Sequence, residues 1–400
     1  MKTTYRIFLL ALLTTNLVVS QSNINFKDSV FYNLKEAYKF PLNVYKLKLS
    51  NQYLNTDSLN LSLFTNLENL NLSFDSLVEL PKGLDKLTNL KVLDISGNNF
   101  TLLSEQVSLI PNLEELYLNN EKYLDFNQSF KVINKITHLK RLHLDSNLNL
   151  KLPKNIAVNN SIEYLSMRYD GLQEIPKEVR KFRHLKVLDF EGNIINSIDK
   201  GFLKNKEIES LSLSVSPQFK FKKSFSILSK EAHLNNLSIS NSDLSEIPDD
   251  ISMLKNITSL SLQNNHLTSF PIGILKIKDL KYLDISGNEF ISLPSTFLSL
   301  TKLETLNLSG ERYLNFDQTA NIIRYLPSLH LVQVDNYDYT FDSENYNKLL
   351  KNSNYIELFP NKKQSEGIHL FKALKPISNP ALNIPFNNFN PQGFGVRLGW

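Results

Sequence analysis

The chain has 400 residues, a formal net charge of +4 and no cysteine. Such a small net charge argues against a nucleic-acid partner, because phosphate backbones select strongly basic surfaces. The lack of cysteine excludes disulfides, thiolate metal sites, a cysteine nucleophile and lipid attachment through cysteine. The length alone would favour two or three domains, but the chain repeats internally and a repeat overrides that expectation.

Residues 1–20 have the composition of a secretory signal. Lys2 and Arg6 precede an apolar run over residues 7–13, and the segment ends at Ser20. We predict cleavage between Ser20 and Gln21, which lowers the net charge to +2 and makes the mature protein secreted, periplasmic or cell-surface. The apolar run is too short to span a bilayer comfortably and no other run is longer, so we predict no transmembrane segment.

Residues 21–43 precede the repeats and are predicted to cap them. Val30, Leu34 and Ala37 have helical spacing within residues 28–39, and Pro41 would end such a helix. A stack of repeats must cover the exposed core of its first unit. We therefore expect an N-terminal cap helix in this segment.

Residues 44–340 repeat the pattern L-x-x-L-x-L-x-x-N-x-L. Successive units begin 23, 23, 23 and 26 residues apart, and this block of four units recurs every 95 residues, so that residues 90–98 reappear as 185–193 and 280–288. The apolar anchors that begin the units are Val44, Leu67, Leu90, Leu113, Leu139, Ile162, Leu185, Ile208, Leu234, Ile257, Leu280, Leu303 and, for a partial thirteenth unit, Leu329. Fixed periods of this size predict a solenoid.

Each unit is predicted to form one coil of that solenoid. The alternating leucines indicate a short strand with one face in the core, and stacked coils place these strands side by side. Most units continue as L-P-x-x-L-x-x-L, which favours a short helical, 3-10 or extended segment on the other side. We expect a right-handed α/β solenoid, a horseshoe of about 12–13 coils with a parallel sheet on its concave face.

The ninth position of a coil is ideally asparagine. Its side chain can bond the backbone groups that the turn leaves unpaired, so stacked asparagines form a ladder. Asp75 and Asp170 can replace asparagine only in part. The asparagines at this position are Asn98, Asn147, Asn193, Asn265 and Asn288.

The fourth, eighth and twelfth coils are longer and lack the Leu-Pro step. Their ladder position holds Glu121, Ser216 or Glu311. Each carries a phenylalanine thirteen residues after its anchor; these are Phe126, Phe221 and Phe316. We expect the ladder to break in these coils, with a bulge or a longer convex helix and a local change of curvature.

Residues 341–400 lack the repeat and are predicted to form a C-terminal cap and tail. Residues 343–350 have the composition of a short helix. Over residues 394–400 apolar side chains alternate with glycine and arginine, which fits a strand.

The predicted binding surface is the concave face, formed by the third, fifth, seventh and eighth positions of each coil. In coils nine and ten these positions hold serine, asparagine and glutamine. In coils four to seven they hold tyrosine, arginine, histidine and acidic residues. Tyrosine and arginine are among the residue types that dominate binding hot spots. We predict a ligand-binding patch formed by Tyr117, Arg141, His143, Tyr164, Arg168, Tyr169, Asp189 and Glu191, with Glu115 and Asp145 beside them.

The sequence does not favour catalysis or a cofactor. Ser166, His143 and Asp145 should be neighbours on this face, yet no strained nucleophile turn, oxyanion loop or pocket accompanies them. A repeated acid at positions 94, 189 and 284 invites a metal site. Four coils at about 4.8 Å each separate its copies by roughly 19 Å, too far for a shared ion. We expect a non-enzymatic protein without metal or cofactor.

Over residues 26–340 the repeats resemble leucine-rich-repeat proteins of the 23-residue class with L-P-x-x-L-x-x-L convex segments. Because the chain has no cysteine-bearing caps, it resembles the exported bacterial members of this class. This resemblance implies a monomer that binds a protein or peptide on its concave face. The alternative is an adhesive or structural surface component that binds glycan or the cell envelope.

Overall fold

The computed structural model describes residues 26–56, 59–154, 156, 161–336 and 356–360. The predicted signal at 1–20, the helix at 343–350 and the strand at 394–400 lie outside these residues. Fifteen strands form one parallel sheet in which each strand pairs with the next in sequence. The predicted α/β horseshoe solenoid is confirmed, with the sheet on its concave face.

Most strands are only three residues long, because each coil turns away after its two core leucines. They are β1 Val30–Phe31, β2 Lys46–Lys48, β3 Asn69–Asn71, β4 Val92–Asp94, β5 Glu115–Tyr117, β6 Arg141–His143, β7 Tyr164–Ser166, β8 Val187–Ile195, β9 Ser210–Val215, β10 Asn236–Ile239, β11 Ser259–Ser261, β12 Tyr282–Asp284, β13 Thr305–Asn307, β14 Leu331–Asn336 and β15 Ile356–Pro360. Coils are numbered from the anchors, and coils 1–4, 5–8 and 9–12 are called the first, second and third cassettes.

A single apolar core runs through the stack. The twelve anchors from Val44 to Leu303 are at most 2% exposed, and the central strand leucines such as Leu188 and Leu283 are completely buried. Equivalent positions pair from strand to strand, for example Leu260 with Leu283 and Leu283 with Leu306. Side chains at one repeat position therefore form a continuous row along the sheet.

The convex side alternates between 3-10 turns and longer helices. The helices are α1 Leu34–Ala37, α2 Phe126–Ile133, α3 Phe221–Leu228 and α4 Phe316–Ile323. The 3-10 turns of the coils are Leu61–Leu63, Leu84–Lys86, Glu105–Leu109, Lys177–Lys181, Phe202–Lys204, Asp249–Met253, Ile272–Lys276 and Ser295–Ser299.

The longer helices α2, α3 and α4 lie in the fourth, eighth and twelfth coils, and each begins at the expected phenylalanine. The side chains of Asp125 and Asn315 cap α2 and α4 by accepting hydrogen bonds from the backbone N–H groups of Gln128 and Gln318. The expected longer convex helix is therefore confirmed in all three coils.

The predicted N-terminal cap helix over residues 28–39 is wrong in extent. Val30 and Phe31 form β1, which pairs with β2, and α1 covers only Leu34–Ala37. Asn33 accepts a hydrogen bond from the backbone of Glu36, so the helix starts at Leu34. A strand fits here because it satisfies the open edge of β2, which a helix would leave unpaired. At the other end β15 extends the sheet past residue 340, the predicted limit of the solenoid.

The asparagine ladder is present. The Asn193 amide donates to the carbonyl oxygens of Met167 and Phe190 at 2.8 and 2.9 Å. Its Oδ1 accepts from the backbone N–H groups of Asp170 and Leu172 at 3.1 and 3.0 Å. Asn98 and Asn265 bond the same four backbone groups of two neighbouring coils, and Asn147 bonds three of them, as the pattern predicted.

The expected ladder breaks are only partly correct. Glu311 continues the ladder, because its carboxylate accepts from the backbone N–H groups of Asn288 and Phe290 at 2.8 and 3.0 Å. Glu121 is buried at the same position but is held less closely: neither carboxylate oxygen makes a hydrogen bond of standard geometry, although the backbone N–H groups of Asn98 and Gly97 act to lower its pKa. Ser216 donates instead to the side chain of Asn196 at 2.6 Å. Burial raises the pKa of Glu121 to about 8 and that of Glu311 to about 7.

The eighth position of each coil adopts the left-handed backbone conformation in every full coil except coil 8. There Val215 is only 2% exposed and belongs to β9. Tyr169, with φ of 57°, is a bulky residue in this conformation and hence a backbone outlier. The left-handed residues are Asn51, Phe74, Gly97, Asn120, Ser146, Tyr169, Gly192, Asn241, Asn264, Gly287 and Gly310.

Candidate binding surface on the concave face

The sheet register brings the predicted patch residues together. Tyr117 pairs with His143, His143 with Ser166 and Ser166 with Asp189, which forms one row across β5 to β8. Glu115, Arg141 and Tyr164 form the parallel row two residues earlier. Arg168 and Tyr169 follow the carboxyl end of β7, and Glu191 lies beside them within β8, so the patch is continuous over coils 4 to 7.

An aromatic stack crosses three strands of this patch. The rings of Tyr117 and His143 are 3.9 Å apart and nearly parallel at 8°, and the His143 and Tyr164 rings follow at 4.9 Å and 39°. The Arg141 guanidinium lies 4.4 Å from the centre of the Tyr164 ring, within the range of a cation–π interaction. The rings stack because the strand register places their residues on adjacent strands.

Glu115 is the centre of the first half of the patch. Its Oε1 accepts hydrogen bonds from the Tyr117 hydroxyl at 2.7 Å, from Arg141 Nε at 3.0 Å and from His143 Nε2 at 2.9 Å. Burial raises the pKa of Glu115, but the hydrogen bonds from His143 and Tyr117 and the charge of Arg141 outweigh it and lower the pKa to about 2. The carboxylate thus stays ionised and fixes the orientation of all three side chains.

Arg168 is the centre of the second half. Its Nη2 donates to Glu191 at 2.7 Å, and its Nε lies 3.7 Å from an Asp189 oxygen. Its guanidinium is 5.4 Å from the centre of the Tyr169 ring. Burial raises the pKa of Asp189 to about 6 although Arg168 lowers it. The guanidinium is held between two carboxylates and one aromatic ring.

The Ser166, His143 and Asp145 side chains do not form a relay. The Ser166 hydroxyl donates to the Asp145 carboxylate, which also accepts the backbone N–H of Arg168 at 2.9 Å. His143 is bonded to Glu115 instead. The three residues are neighbours, as expected, but their hydrogen bonds lead to different partners.

Exposure divides the predicted residues into supporting and accessible groups. His143, Tyr164 and Asp189 are buried within the patch, at 7%, 7% and 4% exposure. Tyr169 is 45% exposed, and the side chains of Arg141 and Arg168 are exposed by 33% and 24%. A ligand on this face would therefore meet mainly Tyr169 and the two guanidinium groups.

Asn241 joins the patch from two coils away, which the sequence analysis did not anticipate. Its amide donates to the Glu191 carboxylate across coil 8. The contact is possible because coil 8 lacks the usual turn and pairs Ile195 with Val215 after a register shift. A β-branched residue at a position otherwise favouring glycine or asparagine was the available signal.

A row of ion pairs along the second position of the coils was also missed. Lysine and glutamate alternate there in coils 2 to 8 and in coils 11 and 12, and four pairs on neighbouring coils lie at 2.9 to 3.2 Å. The pairs are Lys91–Glu68, Lys140–Glu114, Lys186–Glu163 and Lys281–Glu304. These groups are about half exposed, so they add little stability, but they favour correct pairing of adjacent coils.

Two further features bear on function. Among the described residues no helix is long and apolar enough to cross a membrane. Within the same part of the chain no group of three or more histidine, aspartate or glutamate side chains is arranged to hold a metal ion.

Known proteins support the fold. The family profile described as leucine rich repeat matches residues 232–290 and 255–312. A leucine-rich-repeat protein of Leptospira interrogans is 24% identical, with a TM-score of 0.51 over 82% of this chain and 100% of that one. TLR13 in its complex with ssRNA13 is 20% identical, with a TM-score of 0.50 over 83% of this chain and 49% of that one.

An internalin from Listeria monocytogenes is 20% identical over 76% of this chain and 83% of that one, with a TM-score of 0.49. No protein of curated function matches the sequence significantly. At these identities the solved structures bear on the fold alone. The repeat pattern, the stacked parallel strands and the family profile that matches residues 232–312 together show that the chain carries leucine-rich repeats.

Proposed function

We propose that the protein binds another protein or a peptide, without catalysis, through the concave patch of coils 4 to 7. The observation that carries this proposal is the in-register stack of Tyr117, His143 and Tyr164 with Arg141 over it. Aromatic and arginine side chains held rigidly lose little entropy on binding, and such residues dominate protein interfaces.

The charges of the patch favour a polypeptide over a nucleic acid. TLR13 is seen with a single-stranded RNA, so a solenoid of this kind can accommodate one. Here four acids, Glu115, Asp145, Asp189 and Glu191, lie among two arginines, Arg141 and Arg168. Carboxylates so placed would repel a phosphate backbone.

The shape of the patch favours an extended partner over an enclosed small molecule. One shallow depression lies beside Lys140 and Glu163, at the amino-terminal ends of the patch strands, and another lies beside α2 and Pro153. The concave face itself is an open sheet surface. Open surfaces bind through many contacts of a macromolecule, whereas small ligands need concave pockets.

The test is affinity capture with the mature chain, residues 21–400, and with a variant in which three patch side chains are replaced by those of the third cassette. Arg141→Asn, His143→Ser and Tyr164→Ser install the side chains found at the equivalent positions Asn236, Ser238 and Ser259. Since the same chain already holds these residue types in register, we expect folding to persist and the captured partner to be lost. The matched control, Ser259→Ala with Gln263→Ala in the third cassette, should capture it as before.

Retention of the partner by the exchanged variant, with an unchanged circular dichroism melt, would remove the proposal. Sedimentation of the wild type with isolated cell envelope or polysaccharide, unaffected by the exchange, would support the adhesive alternative instead. Both outcomes are read on the same purified proteins.

We also propose that the chain is exported, on the basis of the basic start and apolar run of residues 1–20. Expression of the full chain in a bacterial host should yield an extracytoplasmic product whose first residue is Gln21. N-terminal sequencing measures this directly, and an intact Met1 on cytoplasmic protein would contradict it.

A further inference from the structure

Three exposed apolar side chains lie beside the patch on three consecutive coils. Leu148 in coil 5 is 74% exposed, Tyr169 in coil 6 is 45% exposed and Ile194 in coil 7 is 47% exposed. We call them the apolar triad. They are continuous with the accessible part of the patch, because Tyr169 belongs to both.

The triad is one surface. Leu148 and Ile194 occupy the tenth position of their coils, and Gly171 holds that position between them. A Cβ at Gly171 would lie 3.2 Å from Leu148 Cδ1, so Leu148 packs against this glycine. On the other side the backbone N–H of Ile194 donates to the carbonyl of Leu172 at 3.0 Å. No side chain therefore separates the outer two members of the triad.

Tyr169 is held in place. Its backbone has a φ of 57°, and its ring lies over Gly192, where an added Cβ would come within 2.2 Å of a ring carbon. Arg168 lies near the same ring. A bulky residue in the left-handed region persists only where the surroundings hold it, so the orientation of the Tyr169 ring is fixed by the coil.

The third cassette shows that the fold does not require apolar side chains here. The positions equivalent to the triad hold Asp243, Asn264 and Glu289. His266 pairs with both acids, at 3.7 Å from Asp243 and 2.9 Å from Glu289. The same backbone therefore carries a solvated, charged surface in one cassette and an exposed apolar one in another.

The charges next to the triad indicate what would cover it. Among the described residues that contact one another here, Asp145, Asp189 and Glu191 outnumber the base Arg168, whose guanidinium lies near Asp189 and Glu191 and whose backbone N–H bonds Asp145, so the local charge is negative. Charge complementarity favours a cationic partner, and an exposed apolar surface next to it favours an apolar side chain.

We infer that the apolar triad and the adjacent carboxylates bind an extended polypeptide segment in which an apolar side chain lies next to lysine or arginine. The inference rests on the proposed peptide-binding function and specifies its partner. The apolar side chain lies over Gly171 between Leu148 and Ile194, against the Tyr169 ring, while the basic side chain reaches the carboxylates around Arg168.

The test begins with selection of a random phage-displayed peptide library on the mature chain. We expect enriched peptides to share an aliphatic or aromatic residue next to lysine or arginine. The affinity of one selected peptide is then measured for the wild type and for Leu148→Asn, Tyr169→Asn, Ile194→Asn. Asparagine keeps the charge unchanged and occurs at the positions equivalent to Tyr169 and Ile194, which are Asn264 and Asn99, while the polar Asp243 is equivalent to Leu148. We therefore expect folding to persist and affinity to fall about tenfold or more.

Two variants complete the design. Asp243→Asn with Glu289→Gln alters the equivalent surface of the third cassette and should leave affinity unchanged. Should the triple variant melt early, Ile194→Asn alone replaces it, because the first cassette already carries asparagine there.

The outcomes separate this inference from the proposed function. Peptide binding that is lost in the cassette exchange of Arg141, His143 and Tyr164 but unchanged in the triad variant would overturn the inference and leave the proposed function standing. Enriched peptides without the apolar–basic pair would also overturn it. If no peptide is enriched while polysaccharide binds, both fail.

Discussion

The second and third cassettes share one core and differ on their concave faces. Leu188 and Leu283 are equivalent and completely buried, and Asn193 and Asn288 bond the backbone in nearly the same way. On the surface the second cassette carries Arg141, where the third has asparagine. Buried positions are constrained by packing on both neighbouring coils, whereas concave side chains meet only solvent and each other and are free to diverge.

The difference extends to the ladder directly behind the patch. The third cassette has Asn265, whose amide donates to the carbonyls of Ile239 and Leu262 at 2.9 Å. The second has Asp170, where one carboxylate oxygen accepts from Asn147 at 2.6 Å and the other is buried without a partner. We therefore expect the coil that presents Arg168 and Tyr169 to be the less stable of the two.

The largest expected effect tests the shared core. Leu188→Ala and Leu283→Ala remove equivalent buried side chains, so each should lower the free energy of unfolding by about 2–5 kcal/mol. Chemical denaturation of both variants measures this. A large difference between the two costs would contradict the equivalence of the cassettes.

The next effect concerns the ladder amide. Asn193→Ala leaves four buried backbone groups without their side-chain partner and should cost about 3 kcal/mol. Asn288→Ala should cost a similar amount in the same denaturation assay. A loss below about 1 kcal/mol in either would show that water or relaxation satisfies these groups.

A gain in stability is expected where the second cassette departs from the third. Burial raises the pKa of Asp170 to about 8, above its value of about 4 in an unfolded chain. The folded protein then binds more protons, so its stability falls as the pH rises from about 4 to about 8. Asp170→Asn should therefore stabilise the protein at pH 8, on the order of 1–3 kcal/mol, and much less at pH 5.

Thermal melts of the wild type and Asp170→Asn between pH 5 and pH 9 measure this effect. The control is Asp145→Asn, an acid in the neighbouring coil that accepts hydrogen bonds at the partly exposed concave surface. Equal gains at pH 5 and pH 8 for Asp170→Asn would show that titration of this carboxyl is not the cause.

The smallest effect is expected for the ion pairs at the amino-terminal ends of the strands. Lys186 and Lys281 are equivalent, and each pairs with glutamate on a neighbouring coil at 2.9 Å. These pairs are exposed, so Lys186→Ala and Lys281→Ala should each cost less than about 0.5 kcal/mol, and less still in high salt. A cost of several times that in one cassette alone would indicate an unrecognised contact.

Much of the fold was predictable because each coil repeats the same spacing of apolar residues. The anchors, the paired strand leucines and the phenylalanines at Phe126 and Phe221 recur at fixed spacing, and burial of apolar side chains follows directly from that spacing. The N-terminal cap was not predictable in the same way. Whether Val30 and Phe31 form a helix or a strand depends on the open edge of β2, which is a tertiary feature.

The site was predictable in position but not in arrangement. Residues such as Tyr117 and Arg141 were placed on neighbouring strands from repeat position alone. Side-chain distances across coils decide two further contacts. Glu115 bonds three of its neighbours, and Asn241 bonds Glu191 from two coils away. Repeat position specifies the row, but the distances within a row depend on rotamers and on the irregular coil 8.

The sequence by itself determined the solenoid, its four-coil period and the rows that side chains occupy, because periodic burial of leucine is a local, additive signal. Only the tertiary structure decided which polar groups are satisfied and which apolar ones stay exposed. Glu311 hydrogen-bonds the backbone of the preceding coil more closely than Glu121 does, and the exposed Leu148 lies against Gly171 of the next coil. These outcomes depend on contacts between residues more than twenty positions apart, which no single repeat contains.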